Sequence, residues 1–168
     1  MAVNRYKNHL VIYQEDKPYR GIVNGVKSLP TVNDQVIDAR PPSGGWLKVF
    51  AELEANLNLL NQRQCMHAVL LMDFDNDFQE RKARFDSIIA GQSCSDRVFL
   101  LGIDERESED LKKTMNLSNN EALGKVLLEG CPDATTPTWQ NIHLRCNVGE
   151  IERMKEVGVF GWLFLNSY

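Results

Sequence analysis

Residues 68–77 read Ala68-Val69-Leu70-Leu71-Met72-Asp73-Phe74-Asp75-Asn76-Asp77, an apolar run followed by aspartates at alternate positions. An uninterrupted apolar run of this length is typical of a strand that is covered on both faces, as in a parallel sheet. The aspartates stand where that strand would end. The segment therefore predicts a buried strand whose carboxyl end carries acidic side chains.

Three further apolar segments predict the other strands of a sheet. They are residues 9–13, residues 98–103 and the shorter segment 35–39, which Pro41-Pro42 follows. Apolar residues at helical spacing predict helices between and after these segments, beginning near residues 18, 46, 78, 108, 120 and 148. Alternating strands and helices predict an α/β fold with a mostly parallel central sheet and helices on both faces.

The length of 168 residues is typical of one domain. The alternating pattern covers roughly residues 9–115, which we expect to form the core. Residues 116–168 would add an extension of helices and a closing strand over Val157–Leu165.

The net charge of −4 argues against a generally basic surface that coats nucleic acid. No apolar stretch approaches the roughly 18 residues that a membrane span requires. Residues 1–7 are polar and lack the apolar centre of a signal peptide. We therefore expect a cytoplasmic protein with no membrane partner.

Acidic residues follow three of the predicted strands. They are Glu15 and Asp16, then Asp73, Asp75 and Asp77, and then Asp104 and Glu105, with Glu107 and Glu109 just beyond. Parallel strands end at one edge of a sheet, so these carboxylates can converge there. Converging carboxylates repel one another unless a cation neutralises them, and oxygen ligands favour Mg²⁺ or Mn²⁺. The alternative is that these residues only form turns and helix caps in solvent.

Several known motifs begin like residues 73–77, and their contexts differ from this one. A calcium-binding EF-hand loop needs Gly at its sixth position and Glu at its twelfth, where this chain has Phe78 and Arg84. A haloacid-dehalogenase phosphatase carries its D-x-D on the first strand. A receiver domain requires a Thr or Ser after the next strand, where this chain has Gly102-Ile103-Asp104.

The chain resembles small stand-alone Toprim-like proteins and the Toprim part of OLD-family nucleases. Those domains carry a Glu after the first strand and a D-x-D after a later one. Here Val11-Ile12-Tyr13-Gln14-Glu15 matches the first motif and Leu70-Leu71-Met72-Asp73-Phe74-Asp75 the second. Residues 102–111, which include Glu109-Asp110-Leu111, resemble the later acidic segment of the family. The family usually has Gly after its glutamate, where this chain has Asp16.

The resemblance implies a division of roles among the acidic residues. Asp73 and Asp75 would bind Mg²⁺ or Mn²⁺, with Glu109 as a further ligand. Glu15 would be the catalytic acid/base or another metal ligand. Asp16, Asp77 and Asp104 are additional acidic candidates. Basic residues near the strand ends could line the approach of a polyanion, and those available are Lys17, Arg20, Arg40, Lys48, Arg81, Lys82 and Arg84.

Three functions follow as hypotheses from the sequence. The first is metal-dependent phosphodiester chemistry on nucleic acid by a nuclease-like Toprim domain. The second is a non-catalytic Toprim-like module that acts with a partner protein such as an ATPase, since this chain has no G-x-x-x-x-G-K-[ST] motif of its own. The third is a phosphatase or a receiver-like signalling domain.

Overall fold

A computed structural model describes residues 3–104, 108–131, 133 and 135–165 of the protein. Its sheet has four strands, β1 (His9–Gln14), β2 (Ile37–Ala39), β3 (Met66–Asp73) and β4 (Val98–Ile103). All are parallel, in the order β2-β1-β3-β4. The predicted parallel α/β fold is confirmed. The strand predicted over residues 35–39 begins later than expected, because Asp34–Val36 form a 3-10 helix.

Seven α-helices of the described residues follow in chain order. They are α1 (Lys17–Lys27), α2 (Trp46–Gln62), α3 (Phe78–Ile89), α4 (Ser108–Thr114), α5 (Asn120–Gly130), α6 (Val148–Glu156) and α7 (Val159–Leu163). Short 3-10 helices also precede β4 and α6, at Ser95–Arg97 and Arg145–Asn147. None of the described helices is long and apolar enough to cross a membrane.

The helices cover both faces of the sheet, as the continuous apolar strands predict. On β1, Leu10 and Ile12 pack in one buried cluster with residues of α1, α5, α6 and α7. Val11 and Tyr13 point the other way and pack with residues of α2 and α3. The C-terminal helices therefore share a core with the strands.

The predicted closing strand over Val157–Leu165 is wrong, since most of the segment forms the short helix α7. Gly158 has a φ of 77°, a left-handed conformation that favours glycine, and it separates α6 from α7. The strand pairing that this segment does make is an isolated antiparallel bridge between Phe164 and Val32.

The outer edge of β4 is covered by side chains where a further strand could have paired. The Asn147 side chain accepts a hydrogen bond from Gly102 N at 2.8 Å and donates one to Gly102 O at 2.8 Å. The Glu150 carboxylate accepts a hydrogen bond from Leu100 N at 3.2 Å and an ion-paired one from Arg153 at 2.7 Å. Side chains thus satisfy backbone groups that another strand would otherwise pair with.

Helices α1 and α5 approach one another so closely that only glycine fits at the contact. A Cβ atom on Gly124 would lie 2.0 Å from the carbonyl oxygen of Ile22. One on Gly25 would lie 2.0 Å from the carbonyl oxygen of Glu121. This packing fixes the position of α1 beside the end of β1.

We predict that Gly124→Ala destabilises the fold by about 1–3 kcal/mol, the usual cost of overpacking, because the helix backbones must separate. Gly149→Ala is the matched control. Gly149 also lies in a helix and is exposed, and a Cβ added there would have no atom within 4 Å. Alanine at that position should therefore be neutral or stabilise by up to about 1 kcal/mol. Urea unfolding measures both variants, and equal stabilities would contradict the close helix contact.

Candidate functional site

The Glu15 side chain lies where β1 ends, beside the end of β3. The register pairs Gln14 with Leu71, and Glu15 N donates a hydrogen bond to Leu71 O at 3.0 Å. The Glu15 carboxylate accepts one hydrogen bond from Asp73 N at 2.9 Å through Oε2 and another from Trp46 N at 3.0 Å through Oε1. Both carboxylate oxygens are thereby held in place by backbone groups.

The loop before α2 is folded back to make the second of these bonds. Gly44 N donates to Glu15 O at 2.7 Å. Gly44 and Gly45 have φ values of 82° and 139°, which L side chains rarely adopt. The two glycines thus let the chain turn so that Trp46 N faces the Glu15 carboxylate.

The Asp73 carboxylate is partly buried beside Glu15. Its Oδ1 accepts a hydrogen bond from the Tyr19 hydroxyl at 2.7 Å. Burial raises the pKa of Asp73 to about 7; the Tyr19 hydrogen bond opposes this shift, and the negative charges of Glu15, Asp16 and Asp75 add to it. Burial, together with Asp73, also raises the pKa of Tyr19 well above its ordinary value, so Tyr19 remains a donor.

The pKa of Glu15 is also raised, mainly by burial and further by Asp16 and Asp75. Its hydrogen bonds from Asp73 N and Trp46 N oppose that shift. Four carboxylates at the ends of β1 and β3 are therefore electrostatically coupled, and at least two of them are held by hydrogen bonds. Of the acids Glu15, Asp73, Asp75 and Glu109, which the sequence predicts to converge, the structure brings the first three to the ends of β1 and β3, whereas Glu109 pairs with Lys112.

Phe74, in the centre of the D-x-D motif, anchors it in the core. The ring is buried against Gly102, where any Cβ would come within 2.7 Å of it. Phe74 N donates to Ile103 O at 2.9 Å, which continues the pairing with β4. The chain then turns through Asp75 and Asn76, which have φ values of 50° and 65°. These positive values are uncommon away from glycine, and Asp and Asn tolerate them best.

Arg81 connects this turn to Trp46. Its guanidinium is stacked over the Trp46 ring at 3.7 Å from the centroid, and Nη2 lies 3.8 Å from Asp75 Oδ2. Arg81 is only 5% exposed. Arg81 therefore packs beneath the turn at Asp75, and it is too buried to contact a polyanion at the surface.

Asp16 and Asp77 each lie at the beginning of a helix. Asp16 is the N-cap of α1, and its Oδ1 accepts a hydrogen bond from Tyr19 N at 3.4 Å. This capping role accounts for an aspartate at position 16. Asp77 precedes α3 but makes no capping hydrogen bond with its side chain, which is exposed.

The acids after β4 have other partners. Glu109 forms an ion pair with Lys112 of its own helix, with Oε1 2.6 Å from Nζ. Asp104 N donates to His143 O at 2.9 Å, and the Asp104 charge contributes to the raised pKa of Cys146. Neither Glu109 nor Asp104 is among the charges that raise the pKa of Asp73. The intervening acids Glu105 and Glu107 lie outside the described residues.

Across the described part of the chain, no group of three or more His, Cys, Asp or Glu side chains is arranged to hold a metal ion. Mg²⁺ does not require such a group, because it commonly retains several waters and binds one or two carboxylates plus substrate phosphate. Glu15 and Asp73 supply two carboxylates whose shared burial and mutual repulsion a cation would relieve. Their chemistry fits an open Mg²⁺ or Mn²⁺ site better than a closed cage.

Reasoning from the sequence missed two contributors to this centre. Tyr19 lies on the buried face of α1 and resembles an ordinary core residue in the sequence. Trp46 acts through its backbone N–H, which no side-chain pattern reveals. The Gly44-Gly45 pair before α2 was the available signal that the chain turns tightly there.

Comparisons with protein-family models, with curated proteins and with solved structures found no match.

We predict that Asp73 makes the fold less stable as pH rises from about 4 to 7. The folded-state pKa is about 7, against about 3.9 for an unfolded chain, so the folded protein binds the proton more tightly across that window. Relative to Asp73→Asn, the wild type should lose on the order of 2 kcal/mol between about pH 5 and pH 8, after discounting for solvent screening.

Urea unfolding of both proteins at the two pH values, in EDTA, measures this difference. Asp77→Asn is the matched control, because that exposed side chain should not change the profile. Parallel stability curves for the wild type and Asp73→Asn would contradict the assigned environment of Asp73.

Proposed function

We propose that the chain is a divalent-metal-dependent phosphodiester enzyme acting on nucleic acid, with a nuclease-like, Toprim-like centre built on Glu15 and Asp73. The observation that carries the proposal is the coupling of Asp73 to Glu15. Asp73 N donates to the Glu15 carboxylate, and Asp73 has a pKa raised to about 7 among the charges of Glu15, Asp16 and Asp75. Such a cluster is costly without a cation and favourable with one.

The position of the cluster supports the same proposal. It lies at the carboxyl ends of β1 and β3, which are adjacent in the sheet. Ligands of open α/β folds bind outside this edge. A Glu after the first strand and a D-x-D after a later one is also the order of the Toprim-like domains that the sequence resembles.

The hydrogen bonds of Asp73 and Glu15 suggest different roles for the two side chains. Tyr19 donates a hydrogen bond to Oδ1 of Asp73, so Oδ2 would be the oxygen that binds a ligand. Glu15 is fixed by two backbone N–H groups, and its raised pKa suits it to accept a proton from a water and later release it. Asp75, largely exposed in the turn beyond Phe74, is the further ligand candidate.

A divalent cation held by Asp73 and Glu15 or Asp75 would supply Lewis-acid stabilisation of a phosphodiester and activation of a water. Glu109 is not needed for this arrangement, because it is paired with Lys112. Mg²⁺ and Mn²⁺ are both compatible with an all-oxygen ligand set.

We predict that the purified protein cleaves plasmid DNA, single-stranded DNA or RNA with Mg²⁺ or Mn²⁺, and that Asp73→Asn lowers the rate by about 100-fold or more. Loss of the negative charge removes the main cation ligand. Asparagine retains an acceptor for Tyr19, so the variant should remain folded. Initial rates on the three substrates, with circular dichroism of each variant, measure the effect.

The control is Glu109→Gln, which should retain activity within about threefold because Glu109 faces Lys112. Cleavage that persists in Asp73→Asn would show a contaminating nuclease and contradict the proposal. No cleavage by the wild type, together with no calorimetric Mg²⁺ binding, would favour the non-catalytic module that acts with a partner ATPase or other protein.

A further inference from the structure

A polar cleft lies between α1 and the end of β2. It has a volume of about 610 Å³, within the range of small-molecule sites. Residues of β1, α1, the end of β2 and α5 line it, among them Gln14, Arg20, Lys27, Arg40, Pro41 and Glu121. We refer to it as the α1–β2 cleft.

The charge of the cleft is the reverse of the charge of the whole chain. Three cations and one carboxylate line it, whereas the protein has a net charge of −4. Arg40 is partly neutralised, since Nη2 lies 3.3 Å from Asp38 Oδ2. Arg20 and Lys27 lie seven residues apart on one face of α1, and Arg20 forms no ion pair with a described residue. These two cations make the cleft suited to an anion.

Gln14 adds a buried acceptor to the same cleft. The residue is only 2% exposed, and its amide nitrogen donates to the carbonyl oxygen of Arg40. That bond fixes the orientation of the amide, since the reverse orientation would place two carbonyl oxygens together. The buried Oε1 atom is left without a hydrogen-bond partner among the described residues. Buried polar atoms of this kind are normally satisfied, so we expect a water or a ligand to supply a donor to Oε1.

A ligand that carries an anionic group and N–H or O–H donors would match the two cations and Gln14. We propose that the α1–β2 cleft binds a 5′-phosphorylated nucleotide, either free or at the end of a strand. Arg20 and Lys27 contact the phosphate, and Gln14 Oε1 accepts a hydrogen bond from a base or sugar donor. Nucleotide recognition by charge-assisted bonds to the phosphate and by acceptors for base N–H groups is chemically standard.

The cleft adjoins the carboxylate centre through consecutive residues. Gln14 precedes Glu15, and Arg20 follows Tyr19, which donates to Asp73. A nucleotide in the cleft would place the attached strand beside Glu15 and Asp73. The choice of a nucleotide among phosphorylated ligands rests on the proposed function. The cleft would then bind the 5′-phosphorylated end of the substrate.

The test is isothermal titration calorimetry in EDTA, so that metal binding plays no part. The probes are inorganic phosphate, AMP, GMP and a short single-stranded oligonucleotide with and without a 5′-phosphate. We expect a nucleotide or the phosphorylated strand to bind about tenfold or more tightly than inorganic phosphate, which offers no base or sugar donors. Preference for AMP and GMP indicates a free nucleotide, and preference for the phosphorylated strand indicates a strand end.

The variant Arg20→Gln/Lys27→Gln should weaken binding of the preferred probe by about tenfold or more, since two charge-assisted contacts are lost. Lys113→Gln/Lys155→Gln removes the same charge from other exposed positions and should bind as the wild type does. Both variants alter surface positions, and their unfolding curves check that they are folded. Equal binding by the two double variants, no binding of any probe, or equal affinity for inorganic phosphate and nucleotide would overturn the proposal.

The same experiment separates this inference from the proposed function. Nucleotide binding without metal-dependent cleavage would support the proposed binding site in the cleft and contradict the proposed enzyme function. Cleavage that depends on Asp73, with no effect of Arg20→Gln/Lys27→Gln on binding, would support the proposed enzyme function and contradict the proposed binding site in the cleft.

Discussion

The Glu15 carboxylate holds together the three segments on which the candidate site depends. One oxygen accepts a hydrogen bond from Asp73 N at the end of β3, and the other accepts one from Trp46 N at the beginning of α2. Glu15 itself continues β1 by donating to Leu71 O. Because a charged acceptor makes stronger hydrogen bonds than a neutral one, this residue orders the sheet edge at the same time as it places a carboxylate there.

The same arrangement places the carboxylates of Glu15 and Asp73 close together in a partly buried position. Burial and the neighbouring charges raise the pKa of Asp73 to about 7, while Tyr19 holds one of its oxygens. Arg81 lies 3.8 Å from Asp75, too far for a close ion pair, so it offsets only part of the repulsion. The α1–β2 cleft is lined by cations of α1 and by Gln14, which precedes Glu15 in the sequence. Under the proposed function, the acids would bind the metal and the cations of the cleft would bind a phosphate.

The sequence was sufficient to predict the parallel sheet, because its strands are buried on both faces and read as continuous apolar runs. It was also sufficient to place Glu15 and Asp73 at one edge, since parallel strands end together. The strand predicted from the apolar composition of residues 157–165 is wrong. The side chains of Asn147 and Glu150 already bind the edge of β4 with which such a strand would pair. Contacts between residues that are distant in the sequence, such as the Tyr19 hydroxyl with Asp73 or the Gln14 side chain with the carbonyl oxygen of Arg40, leave no periodic signal in a sequence.

An NMR titration of the Asp73 carboxyl carbon, with and without Mg²⁺, tests directly whether Asp73 binds a metal. In EDTA we expect a midpoint near pH 7, which is the raised pKa of Asp73. Saturating Mg²⁺ should lower that midpoint by about one unit or more, because a bound cation favours the charged carboxylate. A midpoint near the ordinary value for aspartate, or one that Mg²⁺ does not move, would contradict the proposal that Asp73 is the centre of a metal-binding site.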